Sequence, residues 1–264
     1  MDVKVLEDAA RRCGELVLRI RERGLHAEDK NDGPQGSHFL TEADTESQAL
    51  GIEIVHSSFP DEVMVAEEEE HAGGVSADCT VFDPVDGTTV FYNGGREFGV
   101  TLCTLREARP VMGVMYFPIG NVMFRCERGK GVWMNDTQLA SLIWNRPLDK
   151  TLLGTDLGPW TIHSVIQGLN KDKFMIRSIL VGIYGARAML TQETGAYWSL
   201  NAGSIWDGAA GSLMVEELGG LAVDPWGKPI RWNTIALDMV WAANEELADA
   251  VLKYTRKWPG RGHS

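Results

Sequence analysis

Three apolar runs of strand length follow one another at residues 99–105, 111–117 and 122–126, punctuated by Gly113, Pro118 and Gly120. Links this short join antiparallel neighbours, because a parallel pair needs a crossover of a dozen residues or more. The spacing therefore predicts a β-meander, preceded by short buried strands at 63–66 and 80–82. Beyond it the pattern changes to alternation. Strand-like 151–154 leads to helix-like 160–169, and strand-like 175–181 leads to a helical stretch at 186–191. A strand at 197–200, a helix at 206–218 stopped by Gly219-Gly220, a strand at 240–242 and a helix at 245–254 close the chain. In front, Val3, Leu6, Ala10, Cys13, Val17 and Ile20 recur at helical spacing up to Gly24. Thr41 is the expected N-cap of a second helix reaching about Ser57, with Asp44 three residues on. The result is a layered α+β fold, mixed in its first half and alternating in its second. A composition shift near 145–150 suggests two subdomains, 1–145 and 146–264.

The chain has 264 residues, enough to bury a sizeable core without staples. Its net charge of -12 speaks against nucleic acid and anionic membranes as partners, since both require a basic footprint. No apolar run is long enough to span a bilayer, and Met1 to Arg23 lacks the apolar block of a signal peptide. Cys13, Cys79, Cys103 and Cys126 show no paired spacing. They are expected as reduced thiols, and the protein as cytoplasmic.

The chemistry concentrates in acids. Asp44 lies in the first turn of a helix. Glu67, Glu68, Glu69 and Glu70 follow a strand directly. Asp83-Pro84-Val85-Asp86-Gly87-Thr88-Thr89 carries two more, and Asp207 follows Trp206 at the start of a helix. Taken singly each has an ordinary explanation: a first-turn acid, a solvated charge run, an Asp-Gly turn, an N-cap. Together they allow more. Asp83 and Asp86 converge if the chain turns at Pro84. Gly87 permits close backbone approach to a ligand. Thr88 and Thr89 start a helix whose free N–H groups face an anion. One segment thus offers carboxylates to a cation and N–H groups to a phosphate, and an all-oxygen donor set selects hard cations such as Mg2+.

The joint pattern resembles the inositol monophosphatase superfamily. It is carried by Leu40-Thr41-Glu42-Ala43-Asp44, Val65-Ala66-Glu67-Glu68, the Asp83 to Thr89 segment, Trp206-Asp207-Gly208-Ala209-Ala210-Gly211 and Glu216-Glu217-Leu218-Gly219-Gly220. The resemblance implies an αβαβα sandwich of the inositol monophosphatase and sugar phosphatase type. It also implies lithium-sensitive hydrolysis of a small-molecule phosphate ester with two or three Mg2+ ions per site, and a homodimer. Carried over residue by residue, Glu67, Asp83 and the Val85 carbonyl bind one ion, and Asp83, Asp86 and Asp207 another. Thr88 and Asp44 activate water, so that Asp44, Thr88 and Glu67 form the catalytic group. The N–H groups of Gly87 and Thr88 hold the phosphate. Glu68 is a supporting neighbour, while Glu69 and Glu70 face solvent.

The substrate pocket departs from the pattern. Inositol monophosphatases place a glutamate several residues before the Trp-Asp motif, to contact substrate hydroxyls. Residues 197–205 here contain no acid, and Asn201 is the candidate contact within them. Gly182 matches a pocket glycine by spacing. Asn93-Gly94-Gly95-Arg96-Glu97-Phe98 and Asp224-Pro225-Trp226-Gly227-Lys228-Pro229-Ile230 lean toward 3'(2'),5'-bisphosphate nucleotidases. Polyol, sugar and inositol phosphates stand beside that alternative, as does a catalytically weak binding or regulatory member. Arg187 is either a contact for a second anionic group or a surface ion pair. Trp133, Trp144, Trp160 and Trp198 either pack the core or line a pocket. His38 and His56 are not required by this chemistry. Residues 29–37, with Lys30, are a candidate lid.

Overall fold

The meander forms where the spacing places it. The computed structural model describes residues 2–24, 27–29, 39–69, 74–157 and 162–261. The candidate lid around Lys30, and His38, Glu70 and Trp160, lie outside them. The element order is α1 (Val3–Arg23), β1 (Ala27–Asp29), β2 (Phe39–Thr41), α2 (Glu42–Ser58), β3 (Met64–Ala66), β4 (Cys79–Asp86), α3 (Thr88–Tyr92), β5 (Gly99–Arg106), β6 (Arg109–Phe117) and β7 (Val122–Glu127). Then come β8 (Val132–Met134), β9 (Thr137–Gln138), β10 (Leu152–Thr155), α4 (His163–Lys171), β11 (Met175–Ser178), α5 (Gly182–Leu190), β12 (Ala196–Ser199), α6 (Ile205–Glu217), β13 (Leu221–Val223), β14 (Met239–Ala242) and α7 (Glu245–Thr255).

One sheet has seven strands in sequential order, β3 to β9. Its β5–β6 hairpin is tighter than the apolar spacing suggests. Glu107 and Ala108 both adopt positive φ, 51° and 53°, which closes a two-residue turn matched to strand twist. A second sheet has five strands in the order β11-β10-β12-β14-β13, and β1 and β2 form an antiparallel pair of their own. Strand β10 pairs in parallel with both β11 and β12, and α4 and α5 supply the two crossovers. The alternation of the second half thus produces a parallel core, with β14 antiparallel to its neighbours β12 and β13. The short strands β8, β9 and β13 fall in segments without a strand-length apolar run.

Helices α1 and α2 cover one face of the seven-stranded sheet, and α4 and α7 pack together against the five-stranded one. Helix α6 touches β4 to β7 on one side and β13 and β14 on the other, with α5 beside it. The layers run αβαβα. A helix between two sheets has no solvent face, and nine of the ten residues from Trp206 to Val215 are buried, all but Asp207. Its small residues permit the fit. A Cβ on Gly211 would stand 2.6 Å from the Trp241 ring, and one on Gly208 would meet Leu237 and Met239. From the other side, a Cβ on Gly113 of β6 would stand 3.2 Å from the Ala210 Cα. The Gly208-Ala209-Ala210-Gly211 run therefore serves helix burial.

Most of the ambiguous residues have packing roles. Trp198 is buried, Trp144 donates to the Thr151 hydroxyl at 3.0 Å, and the Arg125 guanidinium lies over Trp133. Arg187 stacks on Phe117 and Tyr184. His56 bonds the Glu62 carbonyl at 2.9 Å. All four cysteines are free and buried, and burial pushes the Cys79 thiol up to about 11. No helix among the described residues is long and apolar enough to cross a membrane.

Candidate active site

Strand β4 carries the centre of the site, and a β-bulge shapes it. Asp83 pairs with Thr101 and Asp86 with Gly99, so Pro84 and Val85 together oppose Val100 alone. In a regular strand residues three apart point to opposite faces. The extra residue restores Asp83 and Asp86 to one side, where the sequence alone suggested a turn. Pro84 suits the bulge because it has no N–H to leave unpaired. The Val85 N–H bonds Asp83 Oδ1 at 2.9 Å, and Ser47 donates to the Pro84 carbonyl at 3.3 Å.

The other acids arrive from separate elements. Glu67 follows β3, whose parallel pairing with β4 continues as Glu67 N–H to the Phe82 carbonyl at 3.0 Å. That register puts Glu67 beside Asp83. Glu68 is partly buried and its N–H donates to Gln48, while Glu69 is exposed. Asp44 and Asp207 arrive by the same device. Each is the third residue of its helix and closes a capping box. Asp44 Oδ2 accepts from the N–H and hydroxyl of Thr41 at 2.7 and 2.6 Å. Asp207 Oδ2 accepts from the Ser204 N–H at 2.6 Å, so Ser204, not Asp207, is the N-cap.

Carboxylate oxygens of Asp83, Asp86 and Asp207 lie within 4.8 Å of one another. Asp83 and Asp86 are buried. Burial, then the charge of Glu67 and the other acids, holds Asp83 well above the usual carboxylate range. Burial and Asp207 do the same to Asp86, against the pull of the Ile183 and Gly182 N–H groups at the start of α5. Burial pushes Asp207 up to about 6, opposed by Ser204, Asp83 and Arg261. Like charges about 4 Å apart repel by roughly 4 kcal/mol at an effective dielectric near 20. The donors are all oxygen, with Glu67 and the Val85 carbonyl adjoining, and so fit a hard divalent cation.

A prediction follows from the sign of these shifts. A carboxyl whose folded-state pKa is raised favours folding most below its unfolded pKa, and that contribution fades as pH climbs to the folded value. For Asp207 the window runs from about 4 to about 6. Chelator-treated protein should therefore melt at higher temperature at pH 5.5 than at pH 7.5. Mg2+ at about 100 times its Kd should add roughly 5–11 °C at pH 7.5 and less at pH 5.5. Calorimetry across the two pH values checks both.

Thr88 opens α3 behind Gly87, whose φ of 97° lies in the left-handed region. Its hydroxyl stands 2.9 Å from both Asp44 Oδ1 and the Val85 carbonyl. One proton serves one acceptor at a time, and the carboxylate is the stronger. With the proton on Asp44, the Val85 oxygen is left for a cation. Gly182 begins α5, where an added Cβ would stand 3.3 Å from Asp86 Oδ2 and 3.4 Å from Asp207 Cβ.

A cavity of about 290 Å3 opens beside Asp86 and Asp207. Gly182 and Asn201 line it, as expected from sequence. So do Asp156, Ser199 and Arg261, which sequence reasoning missed. Asp156 directly follows β10, the same strand-end position that marked Glu67, and that signal was available. Arg261 had none. Its guanidinium holds Asp238 at 3.0–3.1 Å and the carbonyls of Gly203 and Leu237 at 2.6 and 2.9 Å.

Comparison with known proteins agrees with this geometry. Inositol monophosphatase 2 of Solanum lycopersicum is 28% identical over 270 residues, covering 95% of this chain and 96% of that protein. The Nus factor SuhB of Haemophilus influenzae is 33% identical over 132 residues, half of this chain and 49% of that protein. The crystal structure of extragenic suppressor protein suhB from Bartonella henselae superposes with a TM-score of 0.83 at 25% identity, covering 97% of this chain and 98% of that one. The model of the inositol monophosphatase family matches residues 2–258, so Arg261 falls beyond it. With that match over nearly its whole length, the chain belongs to the inositol monophosphatase family.

Proposed function

We propose that this protein is a Mg2+-dependent phosphomonoesterase acting on a small-molecule phosphate ester. The observation that carries this reading is the convergence of the buried Asp83 and Asp86 with the half-buried Asp207, from two elements. Glu67, Asp83 and the Val85 carbonyl form one oxygen set for a cation, and Asp83, Asp86 and Asp207 a second. Bound magnesium supplies positive charge to the attacking and leaving oxygens of an in-line displacement. The chain's own groups do the rest. Asp44 accepts from the Thr88 hydroxyl, which orients water through the Thr88 oxygen; as that oxygen takes a proton from water it passes its own to Asp44, where the proton ends. The N–H groups of Gly87 and Thr88 hold the phosphate.

Phosphate release from p-nitrophenyl phosphate tests the reading. It should require Mg2+, cease with chelator, and fall with millimolar lithium. Thr88→Val should lower kcat by about 100-fold with little change in KM, and Thr88→Ser should restore most of it. Equal rates for wild type and Thr88→Val would remove Thr88 from the mechanism.

A bisphosphate substrate fits the cavity less well than a compact monoester. Its volume is at the low end of ligand pockets, which run from about 300 Å3 upward. Asp238 also offsets the charge of Arg261, the cation in its lining. A second reading is favoured by one observation, the 33% identity to a Nus factor over 132 residues, half of this chain. On it the chain is a binding or regulatory member of the family. Absence of Mg2+-dependent phosphate release across polyol, sugar, inositol and nucleotide phosphates would decide for it.

A further inference from the structure

Residues 200–204 join β12 to α6 and end on the cap that aims Asp207. The Ser204 N–H is the group that bonds Asp207 Oδ2 at 2.6 Å. Three residues before Ser204, Asn201 has φ 67°, in the left-handed region. Asparagine tolerates that region better than most residues, but it still costs energy there. A conformation of this kind persists only when its surroundings hold it. The shape of the segment is therefore set from outside it.

Asp238 and Arg261 do the holding. Asp238 Oδ1 accepts from the Asn201 N–H at 2.7 Å. The Leu237 N–H donates to the Gly203 carbonyl at 3.0 Å. The Arg261 guanidinium closes the ring. Its Nε donates to both Asp238 oxygens at 3.1 Å, and its Nη2 donates to the Gly203 carbonyl at 2.6 Å and the Leu237 carbonyl at 2.9 Å. One planar fork thus ties 201, 203, 237 and 238 together, which a single ammonium cannot do. These are charge-assisted bonds, and the Asp238 side chain is only 14% exposed, so water competes weakly for them. Arg261 is itself delivered by packing. Trp258 is buried and stacks on Trp226 with ring centroids 5.9 Å apart, and the Thr255 hydroxyl donates to the Pro225 carbonyl at 2.8 Å. Gly260, at φ 93°, then turns the chain toward the cavity.

We infer that Arg261 is a positioning residue: by tying Gly203 to Asp238 it holds residues 200–204 in the shape that presents Ser204 to Asp207, and so raises the affinity of Asp83, Asp86 and Asp207 for Mg2+. The inference rests on the cation assignment within the phosphatase reading. Without the tie the segment samples other shapes, and the apparent Kd rises as the competent fraction falls. The charge of Arg261 acting alone has the opposite sign. A guanidinium lining the same cavity as Asp207 repels a cation, so removing it from an unmoved segment would tighten Mg2+ binding. The direction of the change therefore separates positioning from simple electrostatics.

The test is calorimetric titration of Mg2+ into chelator-treated protein at pH 8. Arg261→Ala should weaken binding by roughly 10-fold or more, the size typical of groups that orient metal ligands. Asp238→Ala should weaken it too. The double variant should stay within about threefold of the weaker single one, because the two residues act as one unit. Arg261→Lys is a milder variant and should fall between wild type and Arg261→Ala. The binding stoichiometry reports the folded fraction separately from Kd, so a destabilised variant still gives an answer. Turnover of p-nitrophenyl phosphate by Arg261→Ala should be low at limiting Mg2+ and recover to within about threefold of wild type at saturation. A residue that only stabilised the fold would lower the melting temperature and leave Kd alone. Binding by Arg261→Ala as tight as wild type, or tighter, for every ion resolved overturns the inference and leaves the phosphatase reading standing. So do fully additive effects of the two alanine substitutions. Wild type that binds Mg2+ but hydrolyses no ester removes the phosphatase reading and leaves the role of Arg261 to the same titration. Wild type that binds no Mg2+ removes the cation assignment, and this inference with it.

Discussion

Asp86→Asn is expected to abolish phosphate release while raising the melting temperature of the metal-free protein. Asparagine keeps the oxygen that accepts from the Ile183 N–H at 2.5 Å, so the start of α5 stays in place. It removes one of three carboxylates that lie within 4.8 Å of one another. Loss of one well-placed electrostatic group costs on the order of 100- to 1,000-fold in kcat. On the proposed function the same group also helps bind the cation, so the fall should reach the upper end of that range or beyond. The stability change has the opposite sign. Burial and Asp207 already penalise the ionised Asp86, and a neutral amide removes that penalty. At pH 7.5 with chelator, a rise of roughly 2–6 °C is expected. With Mg2+ the order should reverse, since wild type gains a ligand the variant holds weakly. Melting curves with and without Mg2+, paired with a phosphate-release assay, check both halves. Near-wild-type turnover would refute Asp86 as a ligand. A lower metal-free melting temperature would show that its structural bonds outweigh the repulsion.

Gly87→Ala is the second substitution with a large effect, and it should damage fold and activity together. Gly87 has φ 97°, in the left-handed region, where an alanine costs about 1–2 kcal/mol. A Cβ there would also stand 2.9 Å from the Glu97 carbonyl and from both methyls of Val181. The Glu97 contact is backbone, and the Val181 contact is the N-cap of α5, so neither yields freely. A total near 3 kcal/mol predicts a drop of roughly 6–12 °C in melting temperature. Relief of the clash would move the Gly87 and Thr88 peptides, and a shift of about 1 Å in a positioning group costs on the order of 100-fold in rate. Thermal melts and kcat on p-nitrophenyl phosphate measure the two effects. A stable, fully active Gly87→Ala would remove the case that this glycine is required by conformation.

Much of the fold was legible because its elements are written in local periodicity. The helical spacing from Val3 to Ile20 became α1, and Thr41 with Asp44 became the capping box of α2. The three meander strands and the alternation after residue 150 were placed within a few residues. Strands β1, β2, β8, β9 and β13 were not, because two- and three-residue strands are too short to show a period; β3, equally short, was legible only as part of the apolar run at 63–66. Their pairing is set by partners that come from elsewhere in the chain.

The site divides along the same line. Sequence alone determined which residue types stand ready: Asp44, Glu67, Asp83, Asp86, Asp207 and the threonines after Gly87 are all chemically legible as a hard-cation and phosphate set. That is a local property, since side-chain chemistry and turn propensity belong to each residue and its near neighbours. Only the tertiary structure decided that they meet. The bulge at Pro84–Val85 turned Asp83 and Asp86 to one side, two capping boxes aimed Asp44 and Asp207, and parallel pairing brought Glu67 to Asp83. Asp156, just after the adjacent strand, brought an acid to the cavity beside Ser199, and Arg261 reached it from a segment distant in sequence. Strand register and the path of the terminus depend on packing between distant segments, so no reading of neighbours along the chain can yield them.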